Sequence, residues 1–300
     1  MLPLTMIWFV AKRMPRFFAM LVDIVAIFLL IFLLVGNNNP SQSSTYLTSF
    51  RFSTKSPMYN IISTSFNADN ETAHLEKVSI RAGYMGICIM NLPTNYSPQE
   101  TLCYDRKNVS SIPLYQDLSV KIFNIRTSNS DSKNTTSTQA TELNIMQLAQ
   151  DNSVHLIHPY ILMAVIVLAL LMFCTTLCAT IPKIPGKSYL DWFLLTLSPV
   201  LTLVWGLGAM WTNVAIRASR SYVPHASMGI ITVKTGTKAS MMAWFAFALL
   251  CVNCLILWAL YFRDRRSLSD EIDKVKKDPT RLIPEITVKG QHWLWGKVPG

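Results

Sequence analysis

The stretch "FFAMLVDIVAIFLLIFLLVG", residues 17–36, decides what kind of protein this is. A bilayer core asks a helix for about 20 consecutive apolar residues, and this run supplies them. Three further windows do the same. They are "YILMAVIVLALLMFCTTLCATI" over residues 160–181, a run over residues 192–216 that opens "WFLLTLSPVLTLVWGLGAMW", and "MMAWFAFALLCVNCLILWALYF" over residues 241–262. Asp23 is the one charged residue inside them. Of the 300 residues, 51% are hydrophobic and 15% charged, a balance that argues against a soluble protein. The expected fold is an all-α membrane bundle of four transmembrane helices carrying a small extracellular antiparallel β-sheet domain.

Orientation follows from Lys and Arg near the span ends, which mark the cytoplasmic side. Lys12, Arg13 and Arg16 precede the first span, Lys183 and Lys187 lie between the second and third, and Arg263, Arg265 and Arg266 follow the fourth. The short segment 217–240 carries Arg217, Arg220, Lys234 and Lys238, against the rule. Four N-x-[ST] sequons, at Asn70, Asn95, Asn108 and Asn134, place segment 37–158 on the lumenal side, where N-glycosylation occurs. The expected order is therefore a cytoplasmic N-terminus (1–16), span one (17–36), a glycosylated outer segment (37–158) and span two (160–181). A cytoplasmic loop (182–191), span three (192–216), a short outer loop (217–240), span four (241–262) and a cytoplasmic tail (263–300) complete it. A cleavable signal peptide is the competing reading of the first span, but its apolar run exceeds the usual 7–15 or so residues of such a segment.

The formal net charge of +10 does not indicate nucleic-acid binding. Its cations are shared among the cytoplasmic flanks, the small outer loop and a tail of mixed sign. Such a tail suits contact with anionic inner-leaflet lipid. The terminal "HWLWGKVPG" sets Trp293 and Trp295 beside Lys297, a pairing suited to the headgroup level, with a plain disordered terminus as the alternative.

Two cysteines, Cys88 and Cys103, lie outside the spans on the oxidising side. Their pairing is the expected one, two free thiols being the alternative. A closed loop of about 15 residues would contribute roughly 3 kcal/mol by restricting the unfolded chain. The runs "TYLTSFRF", "YNIISTSF", "EKVSIRAG", "GICIMNL" and "SVKIFNIRT" are bounded by turn-forming residues and read as strands. "QATELNIMQLAQ" places Leu143, Ile145, Met146 and Leu148 at helical spacing. In "GYMGICIM", residues 83–90, Gly83 and Gly86 permit a sharp turn and close backbone approach. Its apolar strand is expected to bury itself against the sheet or the outer rims of the helices, so that its character is core and not membrane.

Four spans with both ends inside, a large first outer segment and the run "GYMGIC" followed by Cys103 resemble the claudin-like superfamily. Within it the chain is most similar to the fungal pheromone-factor-induced mating membrane protein family ("Fig-one"), described as a calcium regulator and membrane-fusion protein. The motif residues are Gly83, Gly86, Cys88 and Cys103, and the basic entry "KRMPRFFAML" adds to the likeness. Claudins carry a Trp–Gly–Leu–Trp group before the cysteines, whereas this first outer segment has no Trp, which favours a distant fungal branch. The resemblance implies a plasma-membrane glycoprotein acting in cell–cell fusion during mating and supporting low-affinity Ca²⁺ influx. It implies the bilayer and membrane proteins of the same or the opposing cell as partners, copies of itself included. Calcium enters indirectly, and no cofactor or nucleic acid is called for.

Polar groups inside the spans are few. Asp23 is either an ion-path ligand or partner to another helix, or a group near the cytoplasmic end that reaches water or pairs with Arg13 or Arg16. Asn213 and Asn253 are positioned to join helices by hydrogen bonds, and Gly206 and Gly208 to bring helices close. These side chains do not make the polar lining of a pore. No catalytic or metal-binding set is expected. "CVNC" (251–254) lies mid-span, and His155 with His158 lacks a third ligand and a general base. No EF-hand loop, G-x-S-x-G, P-loop or paired-carboxylate pattern occurs. Two other classes stay open: a claudin-like scaffold or sensor of cortical domains or ambient pH, and an ion channel in its own right.

Overall fold

The computed structural model describes residues 4–68, 72–126, 138–181 and 187–277. Four long helices form a bundle: α1 (Leu4–Val35), α5 (Pro159–Thr180), α6 (Lys187–Ala226) and α7 (Thr237–Lys277). Each is long and apolar enough to cross a membrane, over Met14–Val35, Pro159–Thr180, Tyr189–Ala226 and Thr237–Arg266. Their inward faces bury small and branched residues such as Ala26, Leu30, Ala169, Leu201, Trp205 and Leu250 in one core. The outward faces expose Phe, Leu and Trp. Trp192 and Trp211 of α6 are both exposed, and 19 residues of helix separate them by about 29 Å. That spacing matches a hydrocarbon layer of about 30 Å with an aromatic residue at each boundary. Gly206 and Gly208 let α6 approach its neighbours: a Cβ would lie 2.8 Å from Phe247 of α7 at the first and 2.9 Å from Ile161 of α5 at the second.

Between α1 and α5 the chain builds a sheet module at one end of the bundle. Strands β1 (Thr48–Phe52), β2 (Ser79–Ala82), β3 (Gly86–Met90) and β4 (Thr101–Asp105) pair antiparallel in sequence order, and β7 (Ile231–Thr235) joins beyond β1. Strands β5 (Ser119–Arg126) and β6 (Thr138–Asn144) form a separate two-stranded ribbon. Short helices α2 (Tyr59–Phe66), α3 (Pro113–Asp117) and α4 (Ile145–Asp151) complete the module. Phe50, Ile80, Ile87, Ile89, Leu114 and Met146 belong to its core, a cluster distinct from that of the bundle. The apolar run at residues 86–90 is thus a buried strand.

Four expectations need correction. "YNIISTSF" is helix α2, not a strand: Ile62 and Phe66, four apart, bury one face, Phe66 packs on Phe52 with ring centroids 5.8 Å apart, and Ile61 points out. Its β-branched residues suggested a strand, but one buried helical face outweighs that propensity. "QATELN" belongs to strand β6, and the helix begins only at Ile145, where the Asn144 side chain accepts from the Met146 and Gln147 amides. Residues 217–240 are not a short loop. The third helix runs on to Ala226, through Pro199, and Ile231–Thr235 becomes the edge strand β7, with Ile231 and Val233 buried. Beyond Thr237 the fourth helix continues to Lys277, past the end expected for that span.

Candidate functional site

Where the sheet meets the bundle, one turn touches most of the elements around it. β2 and β3 are joined through "GYMG", closed by the Gly83 amide donating to the Gly86 carbonyl at 2.9 Å. The end of α1 lies against this turn. Asn37 follows Gly36 in the left-handed conformation (φ 66°) that terminates many helices. Its side chain is fully buried, and Nδ2 donates to the carbonyls of Arg81 (2.6 Å) and Gly86 (3.1 Å). The closeness explains both motif glycines. A Cβ at position 83 would lie 2.8 Å from Asn37 Cβ and 2.8 Å from the Gly36 carbonyl, and one at position 86 would strike the Asn37 carbonyl oxygen. The glycines therefore serve the seat of a helix end as well as the bend.

The other elements hold the turn from their own sides. Tyr84 is buried in the bundle core, and its hydroxyl donates to Thr212 Oγ1 of α6 at 3.2 Å. Burial pushes its phenol above the ordinary range, with the Thr212 bond opposing in part. Ser153, in the π-turn Asn152–Leu156 that leads into α5, donates from Oγ to the Gly83 carbonyl at 3.2 Å. Arg106, just past β4, donates its amide to the Met85 carbonyl and its buried guanidinium to the carbonyls of Ser153 (3.1 Å) and Ile157 (3.3 Å). The π-turn is tied to α6 by Asn152 Nδ2 donating to Ser219 Oγ at 2.9 Å. Near the start of α7, the Gly236 amide donates to the Leu47 carbonyl at 2.8 Å.

Cys88 and Cys103 face each other directly in the β3–β4 register and are joined by a disulfide. The Cys88 sulfur lies 3.2 Å from the Asn37 carbonyl oxygen, so the bridge sits beside the same helix end. Asn95 and Asn108 are exposed on the module, while Asn70 and Asn134 lie outside the described residues. His155 and His158 are exposed, and among the described residues no three His, Cys, Asp or Glu side chains gather as a metal site.

The polar groups of the bundle fall differently from expectation. Asp23 neither reaches water nor pairs with Arg16: it is 2% exposed, and Arg16 instead binds Asp264 at 2.9 Å and the Ala179 carbonyl at 3.2 Å. The side chain of Arg13, the other expected partner, lies outside the described residues. Asn253 is buried equally, but its Oδ1 has no hydrogen-bond partner, so the expected interhelical bond does not form through that atom. Asn213 is half-buried. Trp293, Trp295 and Lys297 lie outside the described residues.

A family model described as "Ca2+ regulator and membrane fusion protein Fig1" matches residues 64–263. The chain belongs to the Fig1 family. The matched stretch holds the "GYMGIC" turn, the disulfide, α5, α6 and most of α7. The chain is also 50% identical over 282 residues to the "Factor-induced gene 1 protein" of Saccharomyces cerevisiae, spanning 92% of this chain and 93% of that protein. No solved structure matches. Sequence reading singled out Gly83, Gly86, Cys88 and Cys103 but not Asn37, Arg106, Ser153 and Thr212, which meet at the same turn. Of these only Asn37 left a local signal, the "GN" that follows an apolar run and reads as a helix C-cap.

Proposed function

We propose that this Fig1-family chain is a four-pass plasma-membrane glycoprotein that promotes cell–cell membrane fusion in fungal mating and supports low-affinity Ca²⁺ influx, without enzymatic activity. The observation that carries this reading is the near full-length likeness to the Saccharomyces cerevisiae protein, together with the family's description as a Ca²⁺ regulator and membrane fusion protein. Both termini are cytoplasmic and the sheet module is extracellular, in a claudin-like layout. Supporting that orientation, Arg16, Arg263, Arg265 and Arg266 sit at the bundle end away from the sheet, while the disulfide and the exposed sequons sit at the sheet end.

In this reading the sheet module meets the opposing cell or a neighbouring membrane protein. The "GYMG" turn passes any displacement to the helices, because Asn37, Ser153 and Thr212 hold it from α1, the α5 approach and α6. The same contacts give the chain a means of regulating another protein's Ca²⁺ path. Complementation tests the proposal. Expression in Saccharomyces cerevisiae lacking its Factor-induced gene 1 protein should restore mating fusion and pheromone-stimulated calcium uptake. A chain that reaches the plasma membrane and restores neither would refute it.

A further inference from the structure

Two buried polar side chains of the bundle, one on α1 and one on α7, are not used by the turn. Both carboxylate oxygens of Asp23 and Oδ1 of Asn253 are buried with no hydrogen-bond partner. These atoms only accept when the carboxyl is ionised, and the surrounding faces are apolar: Ala19, Ala26 and Leu30 on α1, Leu250 and Leu257 on α7. α1 runs toward the sheet and α7 away from it, so the Arg16–Asp264 contact sets their register. Asp23 lies seven residues up α1 on the face of Arg16, about 10 Å along the axis. The same count up α7 reaches Leu257, and Asn253 lies about one turn nearer the sheet.

A cavity of about 520 Å³ opens among the four helices at the end away from the sheet. Arg16, Asp191, Asp264 and Arg265 line it, and its lining includes Thr176 and Leu257, the second of which the helical count sets at the axial level of Asp23. Among the described residues, the charged and titratable groups lining this end are Arg16 from α1, Asp191 from α6, and Tyr261, Asp264 and Arg265 from α7, while α5 presents Thr176. None of them is hydrogen-bonded to Asp23.

An ionised carboxyl left alone in an apolar bundle is its costliest state, and a positive charge brought beside it removes that cost. One carboxylate balances one such charge. Calcium would leave the bundle charged, and its sites gather six to eight or so oxygen ligands. The geometry points to a site for one unit of positive charge, a proton or an alkali cation. Asp23 holds it, with the Asn253 amide oxygen about one helical turn nearer the sheet and the cavity opening on the side away from the sheet. This site is independent of the mating function and fails or stands separately from it.

The test uses the full chain purified into lipid nanodiscs, with melting temperature as the readout. One series varies pH from mildly acidic to mildly alkaline in N-methylglucamine chloride. A second holds alkaline pH and replaces that salt by NaCl, KCl or CaCl₂ at equal ionic strength. A melting temperature that falls as pH rises, flat in Asp23→Asn, identifies a proton. One that rises saturably with Na⁺ or K⁺, flat in Asp23→Asn and needing more ion in Asn253→Leu, identifies an alkali ion. A wild-type chain insensitive in both series overturns the site, as does an Asp23→Asn chain that keeps the wild-type response. A calcium response at least as large as the sodium response overturns the single-charge argument. Should Asp23→Asn fail to fold, the wild-type series and Asn253→Leu still decide.

Discussion

Asn37 is the residue whose replacement discriminates best among accounts of the "GYMG" turn. It does two separable things: it adopts φ 66°, and its Nδ2 donates to two backbone carbonyls. Asn37→Gly keeps the backbone freedom and removes both bonds. The Gly86 carbonyl keeps its bond from the Gly83 amide, so the expected loss is that of two hydrogen bonds rather than of two stranded acceptors, roughly 1–3 kcal/mol. Asn37→Ala adds the left-handed penalty of about 1–2 kcal/mol and should be the less stable of the two. Asn37→Asp keeps the shape but sets carboxylate oxygens against the Arg81 and Gly86 carbonyls, and should be worst at neutral pH. The assay is heat-induced loss of monodisperse protein in detergent, run beside surface delivery in cells. The expected order is wild type, Gly, Ala, Asp. A glycine variant as stable as wild type would show that the amide bonds do not hold the turn, and the account of the motif would fail with it.

The remaining predictions concern the same interface and the outer face. Gly86→Ala drives a Cβ into the Asn37 carbonyl, so melting should fall by an amount equivalent to about 1–3 kcal/mol; unchanged melting would show that the helix end can retreat. Tyr84→Phe should cost about 1 kcal/mol, and Thr212→Val should add little on top, because both remove one shared bond; full additivity in a double-mutant cycle refutes the coupling. Cys88→Ser or Cys103→Ser should hold the protein in the secretory pathway, by loss of a constraint worth roughly 3 kcal/mol; normal surface delivery shows the bridge dispensable. Asn95→Gln and Asn108→Gln should each remove one step from the ladder that endoglycosidase collapses, and no mobility shift for any sequon would reverse the proposed orientation.

What the sequence disclosed followed signal length. Runs of about 20 apolar residues fix four helices without any help from tertiary contacts, and "GICIM", set between the Gly83–Gly86 turn and Asn91, reads as a buried strand from composition alone. Short elements were harder. "YNIISTSF" has β-branched residues at helical positions, and only Phe52 lying beneath Phe66 decides between the two readings. "IITVKT", bounded by Gly229 and Gly236, carried a legible strand pattern, but the expectation of a short connecting loop concealed it, and its partner β1 lies some 180 residues earlier. The turn was half legible for the same reason. Glycine spacing marked the bend, while Asn37, Ser153 and Thr212 come from three other parts of the chain.

Two features that break local rules share one helix. α1 carries Asp23, a buried carboxyl without a partner, and ends at Asn37, a non-glycine residue in the left-handed region with an unpartnered Oδ1 of its own. Polar groups buried at a cost persist where function requires them. Fourteen residues separate the two, about 21 Å at the helical rise, with no proline between them to absorb motion. A displacement of the sheet module that moved Asn37 along the axis would carry Asp23 with it relative to the other helices. Packed helix seams move between discrete arrangements rather than stretching, so a small shift at the turn suffices to change what the Asp23 carboxyl meets.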